Sequence, residues 1–392
     1  MGTRTGPWLA SAGYRRGGAR RRGLRHGVRR HHRRPPARWR TDVQSLVFDG
    51  PGRIRYEPGR GDPELRTPTD AIVDVEVAGL CGSDLHPYLG REPAASGVVP
   101  GHEVVGRISA VGTEVAERRV GDRVLVPFST SCGRCARCEV GLTARCERGA
   151  LFGYGPPGDP DGALDGGQAQ RLRVPWADAT LRLVPTWMDE PTALLCSDNL
   201  PTAWEAVARA DPRPGHSLVV VGLGAVGLCA VAVARAQAAG PVVAIDPVAD
   251  RRDRAVALGA DLALAPGDAL EEPLLAGGVL SVVEASGSSA GQRLAFTVTA
   301  PGGTCSVIAV QTDERFALSP AEAYDRNLTL RFGRANVLAT LPLVLTALAD
   351  GRLLSPAEVC VTHPDVALRD GPQAYARFAA REPGLVKIAF RP

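Results

Sequence analysis

Four cysteines, Cys132, Cys135, Cys138 and Cys146, follow one another with two, two and seven residues between them. Four thiolates at that density close a tetrahedral shell and leave no position for a substrate. The spacing therefore predicts a structural zinc that staples the loop 131–147. A second set opens at Cys81-Gly82-Ser83-Asp84-Leu85-His86 and resumes at Gly101-His102-Glu103. It supplies one thiolate and one imidazole. A catalytic zinc takes three protein ligands and keeps one position open, so a third ligand has to come from elsewhere. The run Cys196-Ser197-Asp198-Asn199-Leu200-Pro201-Thr202 offers Cys196 and Asp198, and on softness alone the thiol is preferred. The third constellation is Gly222-Leu223-Gly224-Ala225-Val226-Gly227. It follows an apolar run and opens an Ala/Val-rich helical stretch, the context in which these glycines serve a dinucleotide. The first allows the turn, the second admits the pyrophosphate, and the third lets helix and strand pack closely. Asp246 stands nineteen residues after Gly227, where a carboxylate accepts both ribose hydroxyls and repels a 2′-phosphate, which favours NAD over NADP. Arg251 and Arg252 could accept that phosphate instead.

These residues need two kinds of scaffold. Residues 43–79 alternate apolar and polar side chains, as in Ala71-Ile72-Val73-Asp74-Val75-Glu76-Val77, and predict strands broken by Pro/Gly turns. Val104–Ile108 and Asp122–Val126 continue the pattern, so a mostly β region runs to about residue 185. From about residue 200 the pattern changes. Leu218–Val221 and Val242–Ile245 are unbroken apolar runs, as in strands buried on both faces. They alternate with helical segments at 225–239 and 251–259, which predicts a doubly wound parallel sheet. Further strands are expected at 280–284 and 304–310, a helix at 341–348 and a closing strand at 386–390 that packs back on the first region.

The chain has 392 residues, 44% hydrophobic and 22% charged, as in a globular chain of two domains. No apolar run approaches the ~20 residues of a membrane helix. The net charge of +4 is uneven: residues 1–42 hold thirteen Arg and one Asp, a formal +12, and leave the rest at −8. That arm has little to bury and is expected to be disordered. It also lacks the apolar core of a secretory signal. Because the first strand starts at Val43, that valine is read as an initiator codon. An Arg-rich arm beside four clustered cysteines also fits a zinc-containing nucleic-acid module, but that reading leaves the glycine fingerprint and the Cys81 set without a purpose. Of nine cysteines, four are clustered at metal spacing and one opens the Cys81 stretch, which points to cytoplasmic metal use rather than a disulfide framework.

Taken together, the two cysteine sets and the glycine fingerprint make residues 43–392 resemble the zinc-dependent medium-chain alcohol dehydrogenase family. Phe152-Gly153-Tyr154, Ser197–Thr202 and Val361-Thr362-His363 resemble most its glutathione-independent formaldehyde dehydrogenase-like branch. The resemblance implies a GroES-like, mostly β catalytic domain at 43–198 and a Rossmann cofactor domain at 199–338. It implies a return to the catalytic domain at 339–392. It implies two zinc ions per chain, NAD, a small alcohol with its aldehyde or ketone, and a homodimer or homotetramer. By the same resemblance Cys81, His102 and Asp198 are the catalytic ligands, with Asp198 preferred to Cys196 because it lies four residues before Thr202, which abuts the nicotinamide. Glu103 stands behind the zinc, Asp84 orients the zinc-bound imidazole, and Ser83 with an exposed His86 relays the proton. Gly222, Gly224, Ala225, Val226, Gly227, Asp246 and Arg251 line the cofactor. Lys387 resembles a basic residue that meets cofactor phosphates, with a solvated strand-end lysine as the other reading. Phe128 falls at a pocket wall. After Thr362-His363 the run Pro364-Asp365-Val366 departs from the branch. A polyol, sugar or secondary-metabolite dehydrogenase on the same fold is the alternative. A zinc-free quinone or enone reductase is disfavoured, since those lack both cysteine sets.

Overall fold

The structure is a computed structural model. It describes residues 42–154, 164–237, 240–312 and 315–392. The Arg-rich extension, apart from Asp42, and much of the 153–167 loop lie outside these residues.

The first half is antiparallel. A hairpin, β1 (Val43–Gly50) and β2 (Arg53–Arg60), precedes β3 (Ala71–Leu80), β4 (Val104–Val111), β5 (Arg123–Val126), β6 (Arg171–Val174) and β7 (Arg182–Leu183). The alternation expected of β3 is only partly a solvent face. Asp74 and Glu76 are half-buried beneath ion pairs to Arg171 (2.9 Å), Arg107 (2.8 Å) and Arg123 (2.7 Å). The two middle helices are contiguous. Helix Glu190–Ser197 is capped by Asp189, whose carboxylate accepts from Thr192 N at 2.7 Å. Helix Asn199–Arg209 follows after one irregular residue, Asp198 (φ −151, ψ −63).

The second half is parallel. Strands β8 (Leu218–Val221), β9 (Val242–Ile245), β10 (Leu262–Leu264), β11 (Val279–Glu284), β12 (Thr299–Val307) and β13 (Thr329–Phe332) lie in the order 10-9-8-11-12-13. All five pairings are parallel. The order reverses between β8 and β11, so a crevice opens beyond the carboxyl ends of these two strands. The apolar runs expected in β8 and β9 are wholly buried. The expected helix at 225–239 ends at Ala236, and the strand expected at 304–310 starts earlier, at Thr299, and stops at Val307.

After helix Val337–Ala349 the chain returns to the first sheet. Strands β14 (His363–Ala367) and β15 (Ile388–Arg391) complete it in the order 14-15-3-4-5-7, with β6 also on β3. Helix Gly371–Ala379 lies between them and packs against β2. Thr362 binds this return in place: its hydroxyl donates to Lys387 O (3.2 Å) and accepts from Val386 N (3.0 Å). Among the described residues no helix is long and apolar enough to cross a membrane.

Candidate active site and metal centres

Cys81, His102, Glu103 and Asp198 come from the end of β3, the approach to β4 and the break between the two middle helices. One ligand atom from each lies within 4.8 Å of the others. Local chemistry sets each position. Gly82–Asp84 forms one 3-10 turn, and Asp84 Oδ2 accepts from Cys81 N at 2.9 Å. The other carboxylate oxygen of Asp84 lies 3.1 Å from His102 Nδ1, so Nε2 is the nitrogen left for a metal. Ser83 Oγ sits 3.1 Å from that Nε2. Asp198 is freed from the helical repeat, and its Oδ2 stands 3.8 Å from Cys81 Sγ while Thr202 Oγ1 donates to Oδ1 at 2.9 Å. Cys196 is two residues earlier on the regular helix and faces the core with Cys229. The softer ligand is therefore outside the cluster.

Behind the cluster stands the chain's one lysine. Lys387 Nζ is 2.5 Å from Glu103 Oε2, with side chains 1% and 0% exposed. The contact is close but poorly aligned for a hydrogen bond, so charge holds it. This replaces both readings of Lys387, as cofactor-phosphate ligand and as solvated strand end: the residue precedes β15 and is turned inward. Asn199 Nδ2 donates to Glu103 Oε1 at 3.0 Å, a contact that sequence reasoning missed because Asn199 was seen only as part of a motif. His86 departs from expectation too. It is 8% exposed rather than exposed, its Nδ1 has no partner, and among the described residues no hydrogen bond joins it to Ser83. Tyr154 instead reaches Ser83, donating to its carbonyl, and its ring lies 6.1 Å from that of His102. Phe128 packs half-buried against the largest core.

The electrostatics follow from burial and charge crowding. Burial and Glu103 push the Asp198 carboxyl up to about 6. Burial also opposes ionisation of Glu103, but Lys387 and His102 outweigh it and hold that carboxyl below its usual range. At His102 burial disfavours the cation, yet Asp84 and Cys81 raise its pKa well above the ordinary histidine value. Burial lowers His86, which is thereby a neutral imidazole near pH 7. The donor set fits a divalent cation. A thiol, two carboxyls and an imidazole converge while Lys387 provides the cationic partner of Glu103.

The second cluster is as expected. Cys132, Cys135, Cys138 and Cys146 also lie within 4.8 Å of one another, and none is in a disulfide. Backbone amides of Glu147 and Cys138 pull Cys135 down to about 6, while burial pushes Cys146 up to about 12. Thiolate-directed amides suit a site for a soft cation.

At the crevice, Gly222 (φ +90) makes the turn after β8, and a Cβ on Gly227 would stand 1.8 Å from Gly222 O. Around Gly224 a Cβ would meet nothing within 4 Å, so this backbone borders open space where a pyrophosphate fits. Helix Ala225–Ala236 starts there with its amides forward, Ala225 and Val226 being its first residues. Asp246 ends β9. Its oxygens accept from Leu223 N and Val248 N, each at 2.8 Å, and keep further lone pairs. Arg251 Nη1 is 4.0 Å from Asp246 Oδ2, whereas Arg252 is spent on the carbonyls of Asp246 and Pro247.

Two family matches accompany this architecture. Residues 67–185 match the alcohol dehydrogenase GroES-like domain and residues 225–343 the zinc-binding dehydrogenase domain. The chain is 37% identical over 355 residues to a probable zinc-binding alcohol dehydrogenase of Mycobacterium tuberculosis, a match covering 89% of each. The solved alcohol dehydrogenase TADH from Thermus sp. ATN1 superposes with a TM-score of 0.80 at 36% identity, covering 89% of this chain and 99% of that one. A glutathione-independent formaldehyde dehydrogenase of Pseudomonas aeruginosa is 34% identical over 218 residues, 52% of this chain and 54% of that protein. The chain belongs to the zinc-dependent medium-chain alcohol dehydrogenase family and is an oxidoreductase acting on alcohols.

Proposed function

We propose that the chain interconverts a small alcohol and its aldehyde or ketone, with NAD as hydride carrier and zinc at both clusters. The observation that carries this reading is the convergence of Cys81 and His102 with Asp198, which lies 117 residues beyond Cys81 in the chain. These three hold the catalytic zinc, and the four cysteines hold a structural one. Bound there, zinc supplies Lewis acidity that lowers the pKa of an alcohol, and the nicotinamide supplies a hydride acceptor. The chain's own groups do the rest. Ser83 Oγ, beside His102 Nε2, takes the hydroxyl proton. His86, neutral near pH 7, is the next acceptor once a water or a small shift bridges it to Ser83. Thr202 fixes Asp198, and Asp84 fixes the His102 ring. Lys387 neutralises Glu103 and keeps it as a buried anion behind the ligands.

NAD is favoured over NADP by Asp246, whose carboxylate sits where a 2′-phosphate would have to go. Arg251 is close enough to that carboxylate to remain in its field. We take the catalytic region as 43–198, the cofactor region as 199–338 and the return as 339–392. A homodimer or homotetramer in the cytoplasm completes the reading, supported by free cysteines gathered at metal spacing. The test is an alcohol panel with NAD and NADP, followed at the NADH absorbance, together with metal analysis. Two zinc ions per chain and NAD preference are expected. One zinc per chain with strong NADP use would overturn both assignments.

A further inference from the structure

Tyr375 lies on helix Gly371–Ala379, remote in sequence from both cysteine sets, and is wholly buried. Its hydroxyl starts a hydrogen-bonded chain that runs to Asp84, the carboxylate in ion-pair contact with the metal-facing histidine. It donates to Gln168 Oε1 at 2.8 Å. Gln168 Nε2 donates to Gly79 O at 3.1 Å and to Asp84 Oδ2 at 3.3 Å. The other oxygen of Asp84 stands 3.1 Å from His102 Nδ1.

Each link constrains the next. The nitrogen end of the Gln168 amide faces two acceptors, so its oxygen must face away, into protein, where Gln168 is 0% exposed. A buried carbonyl oxygen without a donor costs about 1–3 kcal/mol, and Tyr375 is the donor it has. Held at that end, the amide keeps its N–H on Asp84 Oδ2, which also accepts from Cys81 N. The backbone ties the same residues together. Gln168 N donates to Pro100 O at 3.0 Å. Gly101 (φ +94), next to His102, has no room for a side chain because a Cβ would lie 2.5 Å from Gln168 Cγ. Gln168 therefore supports His102 both from below its backbone and through Asp84.

We propose that Tyr375 is a positioning residue for the metal. Through Gln168 and Asp84 it holds the His102 imidazole with Nδ1 on the carboxylate and Nε2 toward Cys81 and Asp198. The proposal rests on reading Cys81, His102 and Asp198 as the catalytic zinc ligands. Loss of a partner directly behind a metal ligand typically costs ten- to a hundredfold in affinity. Tyr375 acts one link further out, so the lower end, about tenfold, is the expected size.

The experiment measures metal release from the zinc-loaded full chain to a chromophoric chelator. Release is expected in two phases, and the phase missing from His102→Ala belongs to the Cys81–His102–Asp198 site. In Tyr375→Phe that phase should run about tenfold faster, while the four-cysteine phase keeps its wild-type rate. Gln168→Met, which keeps length and loses the amide, should speed the same phase at least as much. The double variant should be no faster than Gln168→Met alone, because both act on one chain. A wild-type rate in Tyr375→Phe, equal acceleration of both phases, or additive effects would each overturn the proposal. Failure of the underlying reading is a different result: His102→Ala would then retain both phases.

Discussion

Lys387 and Glu103 show how much one pair of side chains decides. Two opposite charges, both removed from water, stabilise each other only as long as both are present; removing one leaves a buried ion. Lys387→Met is expected to cost about 3–5 kcal/mol in unfolding free energy, measured by urea titration at pH 7. Adding Glu103→Gln should recover part of that loss. The pH dependence follows from the two shifts. Burial lowers Lys387 but Glu103 raises it more, so its contribution is present below the ordinary lysine value of about 10.4 and is lost as pH rises through the higher folded value. The lowered Glu103 contributes above about 4.3 and loses that contribution as pH falls through its folded value. Between roughly pH 5 and 10 the penalty of Lys387→Met should be flat. Asp198 behaves oppositely. With its carboxyl at about 6 in the metal-free site, a proton competes with the metal below that pH. Zinc uptake by stripped protein should weaken as pH falls through about 6. Calorimetric titration from pH 5 to 8 checks this against Asp198→Asn; His102 and Cys81 must also lose protons to bind, so uptake by both proteins falls with pH, and an equal slope in the two would remove Asp198 from the ligand set.

The elements place these side chains by interrupting regular structure. Helix Glu190–Ser197 would carry Asp198 around its surface had it continued. Asp198 instead leaves the helical repeat, and its carbonyl accepts Thr202 N to start the next helix. That break turns its carboxylate toward Cys81, while Cys196, still on the regular turn, stays in the core. The β8 turn works by closeness rather than by a break. Gly227 is pressed against the Gly222 carbonyl, and even one methyl has no space. Gly227→Ala should force helix Ala225–Ala236 away from β8, costing about 1–3 kcal/mol in stability. It should weaken NADH binding at least tenfold, read by nucleotide fluorescence, while the metal content stays unchanged.

Across the molecule, residues far apart in the chain meet at one site. The C-terminal return delivers Lys387 to Glu103 and Tyr375 to Gln168, so the last stretch of the chain completes the support of a site begun at Cys81. The four-cysteine lobe is anchored to the middle helices: Ala144 N donates to Asn336 Oδ1 at 3.2 Å, and Asn336 Nδ2 donates to Glu205 at 2.9 Å on helix Asn199–Arg209. A metal held by its four cysteines would close a short loop much as a disulfide does, which for about fifteen residues is worth on the order of 3 kcal/mol. Cys135→Ser with Cys138→Ser should lower zinc from two to one per chain and lower the thermal midpoint by several degrees. A chain still carrying two zinc ions would show that the lobe does not bind one.

Local spacing by itself determined the cysteine quartet and the glycine turn with Asp246. In each case residue type and separation along a few turns of chain carry the physics, so no tertiary information is needed. The parallel sheet was legible for the same reason, since strands buried on both faces are apolar throughout. Between Cys196 and Asp198, ligand softness favoured the thiol and the family resemblance the carboxylate, and the tertiary structure puts Asp198 beside Cys81. The two differ by two positions, and the choice depends on where a helix breaks. It also decided that Lys387 faces inward, that His86 is buried and that Tyr375 stands behind His102. Burial and long-range pairing come from how distant elements pack, and spacing along the chain carries no record of that.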